Sequence, residues 1–164
     1  MRALVVLALL SFAVGLHRPA SATEDTRPQR HLDVSLAAET QAPSAGSSTT
    51  LALVMKPPAG WHGYWKSPGD AGFATQATWS LPTGLTIGDL AYPVPKTLVI
   101  DGLMNHVHEG PFALLTTVTV PAGVPAGTRL PIALDLRYLV GTSRICVPET
   151  AQVSWELSVV DGVI

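Results

Sequence analysis

The sequence predicts an all-β domain, an immunoglobulin-like antiparallel β-sandwich. Short runs in which apolar and polar residues alternate recur along the chain, which is the period of a half-buried strand. Proline and glycine, 14 of each among 164 residues, separate these runs as turn residues do. After the apolar N-terminus, no stretch carries the apolar stripe of an amphipathic helix.

Four of the seven predicted strands lie in the first two thirds of the chain. Residues 32–36 alternate apolar and polar side chains, and residues 49–55 form a β-rich run that two prolines stop. Residues 75–81 alternate around a tryptophan and end at a proline, and residues 97–100 form a short fourth run.

The other three predicted strands follow in the last third. Residues 112–120 are strongly β-branched and end at a proline, and residues 130–140 alternate apolar with polar side chains. Residues 152–160 complete the series, with Val153 and Trp155 on the same face. Seven short strands between turns are typical of a sandwich.

The first 22 residues predict a signal peptide. Arg2 supplies a positive start, an apolar run follows, and Ala20-Ser21-Ala22 matches the small-residue cleavage rule. The apolar run is shorter than the roughly 20 residues that span a bilayer. We therefore expect export of the chain, a flexible segment at residues 23–30 and a folded domain at residues 31–164.

Composition excludes several classes of protein. Charged residues make up 13% of the chain and the net charge is −2, which gives no electrostatic reason to expect a nucleic-acid partner. Hydrophobic residues make up 47%, enough for a buried core and against disorder. Because Cys146 is the single cysteine, no internal disulfide can form.

An aromatic cluster is the first candidate for function. Trp61, Tyr64 and Trp65 lie between glycines, followed by Asp70. Such a rigid amphipathic surface can meet a partner protein, or it can plug one end of the sandwich. Asp70 with Gly72 is also a pattern that forms a turn.

A histidine cluster is the second candidate. On a strand, His106 and His108 would face the same side, as two metal ligands should. Sulfur from Met104 or Cys146 would favour copper in such a site. Two histidines with this spacing are a weak signal, so we favour loop histidines without a metal and predict no cofactor.

The segment around Cys146 is the third candidate. A predicted strand ends, a polar turn with Arg144 follows, and the cysteine precedes Val-Pro-Glu. A free cysteine is most often a small buried hydrophobic residue. A turn with a nearby arginine would instead favour exposure and thiolate formation. The residues by themselves leave these two interpretations equal.

Three segments carry a resemblance to a known family. Residues 139–149, together with 61–70 and 105–111, resemble the N-terminal periplasmic domain of DsbD-type thiol:disulfide interchange proteins, in the branch linked to suppression of copper sensitivity. The resemblance extends over residues 31–160. It implies an immunoglobulin-like domain in the periplasm. It also implies electron transfer from a transmembrane partner domain to thioredoxin-like proteins, including cytochrome c maturation factors.

The same resemblance assigns residues. Cys146 matches the second of two family cysteines, and Gly141 stands where the first would be. Glu149 follows as a candidate binding residue, with the aromatic cluster and Asp70. His106, His108 and Phe112 match the neighbourhood of the family's cap loop. With glycine at position 141, an internal disulfide cycle cannot run, although one thiolate can still attack a partner's disulfide.

Four functions follow as alternatives. The first is a periplasmic domain of the thiol–disulfide exchange system, impaired because one cysteine is absent. The others are a redox-inactive binding module, a copper-binding protein using Met104, His106 and His108, and a sandwich in which Cys146 is buried and inert. A membrane tether is expected only if the natural chain continues past Ile164.

Overall fold

The structure, a computed structural model, describes residues 30–162, so the predicted signal peptide and most of the predicted flexible segment lie outside the described residues. Within this range the chain forms ten strands and no helix. The strands are β1 (Asp33–Ala38), β2 (Ser48–Lys56), β3 (His62–Gly69), β4 (Gln76–Ser80), β5 (Thr86–Ile87), β6 (Lys96–Ile100), β7 (Leu103–His108), β8 (Phe112–Thr119), β9 (Arg129–Gly141) and β10 (Cys146–Ser158).

The ten strands form two antiparallel sheets. One sheet has the order β1-β2-β8-β5. The other has the order β10-β9-β3-β7-β6, and β4 joins it by pairing with β9. The predicted β-sandwich is therefore confirmed. No helix among residues 30–162 is long and apolar enough to cross a membrane.

The main core lies between the two sheets and follows from strand alternation. In β9, alternate residues are buried, among them Leu134 and Tyr138. In β2, Leu51, Leu53 and Met55 are fully buried on the same principle. Because successive side chains point to opposite faces of a strand, this alternation brings both inner faces together in one apolar layer.

Each predicted strand overlaps an observed one, but β3, β5 and β7 were not predicted. β3 contains glycines and a proline, and its register with β7 shifts between Tyr64 and Gly69, so it has no regular alternation. β10 begins at Cys146, earlier than the predicted start at residue 152. Pro148 is tolerated because β10 is at the edge of its sheet, where a missing N–H breaks no ladder.

A second, smaller apolar cluster lies on the outer face of the six-stranded sheet. Tyr64, Val107 and Leu139 are buried there, with Phe73 packed against them. Residues 70–75, which connect β3 to β4, supply that phenylalanine. This segment gives the outer face a cover close to the β9–β10 turn.

Candidate functional site

The β9–β10 turn places Cys146 directly opposite Gly141 in the strand register. The Thr142 N–H donates to the carbonyl of Ile145 at 2.8 Å, so Thr142 and Ile145 form a hydrogen-bonded pair. Because hydrogen-bonded and non-hydrogen-bonded pairs alternate, the next pair away from the turn, Gly141 with Cys146, is a non-hydrogen-bonded pair. Cα atoms of such pairs lie about 4.5 Å apart, within the roughly 4.4–6.8 Å of disulfides. Two cysteines here would face each other.

Cys146 is exposed, so of the two interpretations left open by the sequence, the buried one is wrong. The turn is held by Thr142, whose hydroxyl oxygen accepts the backbone N–H groups of Arg144 and Ile145 at 3.1 and 3.2 Å. These hydrogen bonds hold the turn in one conformation. The sulfur therefore lies at a defined position on the rim of the sheet, reachable from solvent.

Register and alternation place Cys146 on the outer face. His62 pairs with Gly141, so the three residues 62, 141 and 146 form one row across the sheet and point to the same side. The neighbouring row contains Val140, which is fully buried in the main core and therefore points inward. His62, which the sequence analysis did not select, thus shares the face of the thiol.

Tyr64 contacts the thiol directly. Its hydroxyl lies 3.1 Å from Sγ of Cys146 in a hydrogen bond, while its ring is buried in the outer cluster. Burial raises the pKa of Tyr64 well above its usual value, and the hydrogen bond and charge of Cys146 raise it further. The hydroxyl therefore stays protonated and can donate to a thiolate.

His62 and Tyr64 occupy the space where a side chain at position 141 would go. A Cβ atom on Gly141 would lie 2.7 Å from Nε2 of His62 and 3.1 Å from the Tyr64 hydroxyl oxygen. Nε2 of His62 is buried and has no hydrogen-bond partner among the described residues 30–162. Burial lowers the pKa of His62, and the charge of Glu109 opposes that shift only in part, so the imidazole is neutral near pH 7.

Residues 70–75 cover Tyr64. Gly69 has φ of 99°, and a Cβ there would collide with the carbonyl of Met104, so only glycine fits where the segment leaves β3. Asp70 then pairs with Met104 twice: its N–H donates to the carbonyl and its carboxylate accepts the N–H, both at 2.8 Å. The Phe73 ring follows, with the Arg137 guanidinium carbon 4.7 Å from its centre. Asp70 thus fixes the segment rather than contacting the thiol.

Glu149 and Trp61 lie on the inner face, in a different network. The Glu149 carboxylate accepts the backbone N–H and Nδ1–H of His31 at 2.9 and 2.7 Å, and the Tyr138 hydroxyl at 3.0 Å. Trp61 stacks on His31 with ring centroids 4.0 Å apart. Burial raises the pKa of Tyr138, and the charge of Glu149 adds to the rise. In this network Trp61 is half-buried and packs against the main core.

The histidine cluster also lies away from Cys146. The favoured interpretation of loop histidines is wrong, because His106 and His108 both lie on β7 and His108 is buried. They share a face of that strand, and it is the inner face, because His108 pairs with Gly63 in the row of Val140. His108 stacks on Phe112 at 4.3 Å between ring centroids. The segment that covers Tyr64 is therefore 70–75 rather than the neighbourhood of these residues.

The rings of His106 and His108 lie in different surroundings. His106 donates from Nδ1 to the carbonyl of Ser67 at 2.9 Å, and its ring meets Trp65 edge-on at 5.7 Å. Burial lowers the pKa of His108, and Met104 is exposed. Among the described residues 30–162, no three His, Cys, Asp or Glu side chains are grouped so as to hold a metal ion.

Phe73 is the other site residue that the sequence analysis missed. The signal for it was present, because Gly69 and Gly72 bracket the start of the segment that contains it. Both glycines have positive φ, and a Cβ on Gly72 would meet the Tyr64 ring at 2.7 Å. The sequence alone does not show that the backbone at Gly72 approaches the Tyr64 ring, because this contact depends on how the strands pair.

Comparisons with known proteins agree on the fold. A family model described as "Thiol:disulfide interchange protein DsbD, N-terminal" matches residues 29–157. The N-terminal periplasmic domain of ScsB from Proteus mirabilis aligns with a TM-score of 0.57 and 18% identity, over 79% of this chain and 47% of that one. The chain thus spans about half the length of that solved relative.

Two structures from Neisseria meningitidis are more distant. The DsbD N-terminal domain in complex with the PilB N-terminal domain aligns with a TM-score of 0.44 and 12% identity, over 80% of this chain and 88% of that one. The reduced DsbD N-terminal domain aligns with a TM-score of 0.38 and 11% identity, over 76% and 83%. No curated protein matches the sequence.

Proposed function

The chain belongs to the family of N-terminal domains of the thiol:disulfide interchange protein DsbD, and from that membership we propose that it is a periplasmic, one-thiol member of the thiol–disulfide exchange system. The observation that carries the proposal is the exposed thiol of Cys146, hydrogen-bonded to Tyr64 and opposite Gly141. Export to the periplasm is supported by the signal-peptide pattern at residues 1–22 and by the family.

The proposed step is attack by Cys146 on a partner's disulfide. The thiolate sulfur bonds to one partner sulfur, the partner's S–S bond breaks, and the second partner sulfur leaves as a thiolate. The Tyr64 hydroxyl donates a hydrogen bond to the attacking thiolate and so holds the sulfur in place. Because glycine occupies position 141, release of the mixed disulfide requires a thiol from outside this chain.

The partners proposed are thioredoxin-like proteins of the periplasm, with a transmembrane domain as electron donor, as the family resemblance implies. Around Cys146, Ile145 is 54% exposed and offers an apolar contact beside the sulfur. Further along the outer face lies an open groove of about 850 Å³, whose lining includes Gln76, Asp135 and Arg137. We propose that a partner docked on the thiol extends over this groove.

A redox-inactive binding module is the second candidate. The observation that favours it is the position of His62, which fills the space of the family's first cysteine side chain. In that case the sandwich would engage the same partners through the outer face, and Cys146 would form no covalent bond. The two candidates differ in a single measurable product, the mixed disulfide.

Trapping that product tests the proposal. The reduced chain is mixed with a periplasmic thioredoxin-like protein whose second active-site cysteine is replaced by serine and whose first is held as a mixed disulfide with a small thiol, which leaves when Cys146 attacks. Non-reducing electrophoresis and intact mass should show a covalent complex with the wild-type chain and none with Cys146→Ser. A matched control, His106→Gln on the inner face, should react like the wild type. Absence of any complex while the thiol remains titratable would favour the binding module.

A further inference from the structure

The outer-face site contains a buried polar atom that the exchange chemistry does not use. We propose that Cys146 is also a site of reversible oxidation by hydrogen peroxide, whose product, a cysteine sulfenic acid, is held by His62 and Tyr64. The polar atom is Nε2 of His62, which takes up the space where a side chain on Gly141 would lie, directly across the hairpin from Cys146.

Two polar atoms converge over Gly141. The position that a Cβ on Gly141 would take lies 2.7 Å from Nε2 of His62 and 3.1 Å from the Tyr64 hydroxyl oxygen. The same hydroxyl lies 3.1 Å from Sγ of Cys146. An oxygen atom bonded to the sulfur would therefore lie next to the Tyr64 hydroxyl, on the same face of the sheet as Nε2 of His62, its second proposed partner.

His62 carries the unpaired atom. It is 3% exposed, and its Nε2 has no hydrogen-bond partner among residues 30–162. Because an unpaired buried polar atom costs free energy, it usually indicates an absent ligand or a chemical role. Either tautomer serves a sulfenic acid, because Nε2–H donates to the oxygen and a bare Nε2 accepts its proton.

The oxidation step is balanced with hydrogen peroxide as the oxidant. The thiolate sulfur of Cys146 attacks one peroxide oxygen, an S–O bond forms, and the O–O bond breaks. The leaving hydroxide takes up the proton lost by the thiol and becomes water. Sulfur loses two electrons and the peroxide gains them. A reducing thiol later attacks the sulfenic sulfur, releases water, and a second thiol frees Cys146.

The glycine at position 141 gives this product a long lifetime. A cysteine at that position would condense with the sulfenic acid and expel water, leaving a disulfide. With Gly141 that route does not exist within the chain, since the sequence contains no other sulfur of thiol type. The inference uses the thiol of the proposed function but needs no protein partner, so each can fail while the other holds.

The test uses hydrogen peroxide on the reduced, purified chain, with dimedone as the trap for sulfenic acid and intact mass as the readout. The wild type should gain one oxygen atom and then form a dimedone adduct. His62→Leu and Tyr64→Phe should each shorten the lifetime of the trappable species about tenfold, the factor that one hydrogen bond of about 1.4 kcal/mol carries. His62→Gln, whose amide can donate, should recover most of the lifetime.

His108→Leu is the matched control, because His108 is also buried with an unpartnered Nε2 but lies on the inner face. It should leave the lifetime unchanged. Equal lifetimes in His62→Leu, Tyr64→Phe and His108→Leu would overturn the proposal, as would direct oxidation of the wild type to the sulfinic acid with no trappable species. If His62→Leu does not fold, Tyr64→Phe still decides the outcome.

Discussion

Two polar networks lie on opposite faces of the same hairpin and differ in how completely they are satisfied. On the inner face, the Glu149 carboxylate accepts hydrogen bonds from His31 and Tyr138. On the outer face, His62 has an unpaired nitrogen among the described residues, and the sulfur of Cys146 is exposed. Both networks include a residue of β10, Cys146 in one and Glu149 in the other, and these two side chains point to opposite faces because side chains alternate along a strand.

The difference separates a satisfied network from an incomplete one. A buried polar group with its partners contributes to stability, whereas one without them costs free energy. Glu149, which the sequence suggested as a binding residue, belongs to the first kind because its buried carboxylate accepts hydrogen bonds from Tyr138 and His31. His62 belongs to the second kind, because its buried Nε2 has no partner among residues 30–162.

Glu149→Ala should produce the largest change in stability. It leaves the buried Tyr138 hydroxyl without a partner and frees His31, so we expect the free energy of unfolding to fall by about 3 kcal/mol. Urea unfolding measures it. Glu156→Ala, whose carboxylate forms an exposed ion pair with Arg129, is the control and should cost less than about 1 kcal/mol. Equal losses would mean that the inner network is not structural.

Gly141→Cys tests how tightly His62 packs against position 141. The backbone of Gly141 has no positive φ, so cysteine is permitted, but its Cβ meets Nε2 of His62 at 2.7 Å. In the reduced state we expect a loss of about 2 kcal/mol from overpacking.

The double variant Gly141→Cys/His62→Ala removes the collision and should form the internal disulfide with Cys146 after mild oxidation. Counting free thiols before and after oxidation measures this. Two free thiols that persist in the oxidised double variant would show that the cross-strand pair is too far apart.

Tyr64→Phe should change reactivity more than stability. The ring remains packed in the outer cluster, so the free energy of unfolding should fall by about 1 kcal/mol or less. Loss of the donor to the thiolate should slow alkylation of Cys146 by iodoacetamide several-fold at pH 7. Tyr92→Phe, whose hydroxyl bonds the Thr75 carbonyl, is the control and should leave the alkylation rate unchanged.

The smallest predicted effect is a dependence of stability on pH. Burial lowers the pKa of both His62 and His108 below the ordinary value of 6.5, so the unfolded chain binds more protons than the folded one. The stability gained by keeping both imidazoles neutral is complete above pH 6.5 and is lost as the pH falls below that value. The double variant His62→Gln/His108→Gln should flatten this loss in urea unfolding between about pH 7.5 and 5. An unchanged slope would contradict the assignment.

The site was predictable only where its pattern is local. Cys146 was selected as the single cysteine, and the family resemblance matched Gly141 to its missing partner across a four-residue turn, which the register of the β9–β10 hairpin places directly opposite. Tyr64 was selected as part of an aromatic cluster, but its bond to the thiol joins residues 82 apart in sequence. Its neighbour His62 had no distinguishing signal, since a single histidine beside glycine has none.

The sequence by itself determined the sandwich, because alternation of apolar side chains encodes which face of each strand is buried. It also determined that there is a single thiol. The tertiary structure decided that residues 70–75 cover Tyr64, that Glu149 anchors His31 across 118 residues, and that His62 fills the space beside Gly141. These contacts depend on strand order and register between distant segments, which alternation within a segment does not specify.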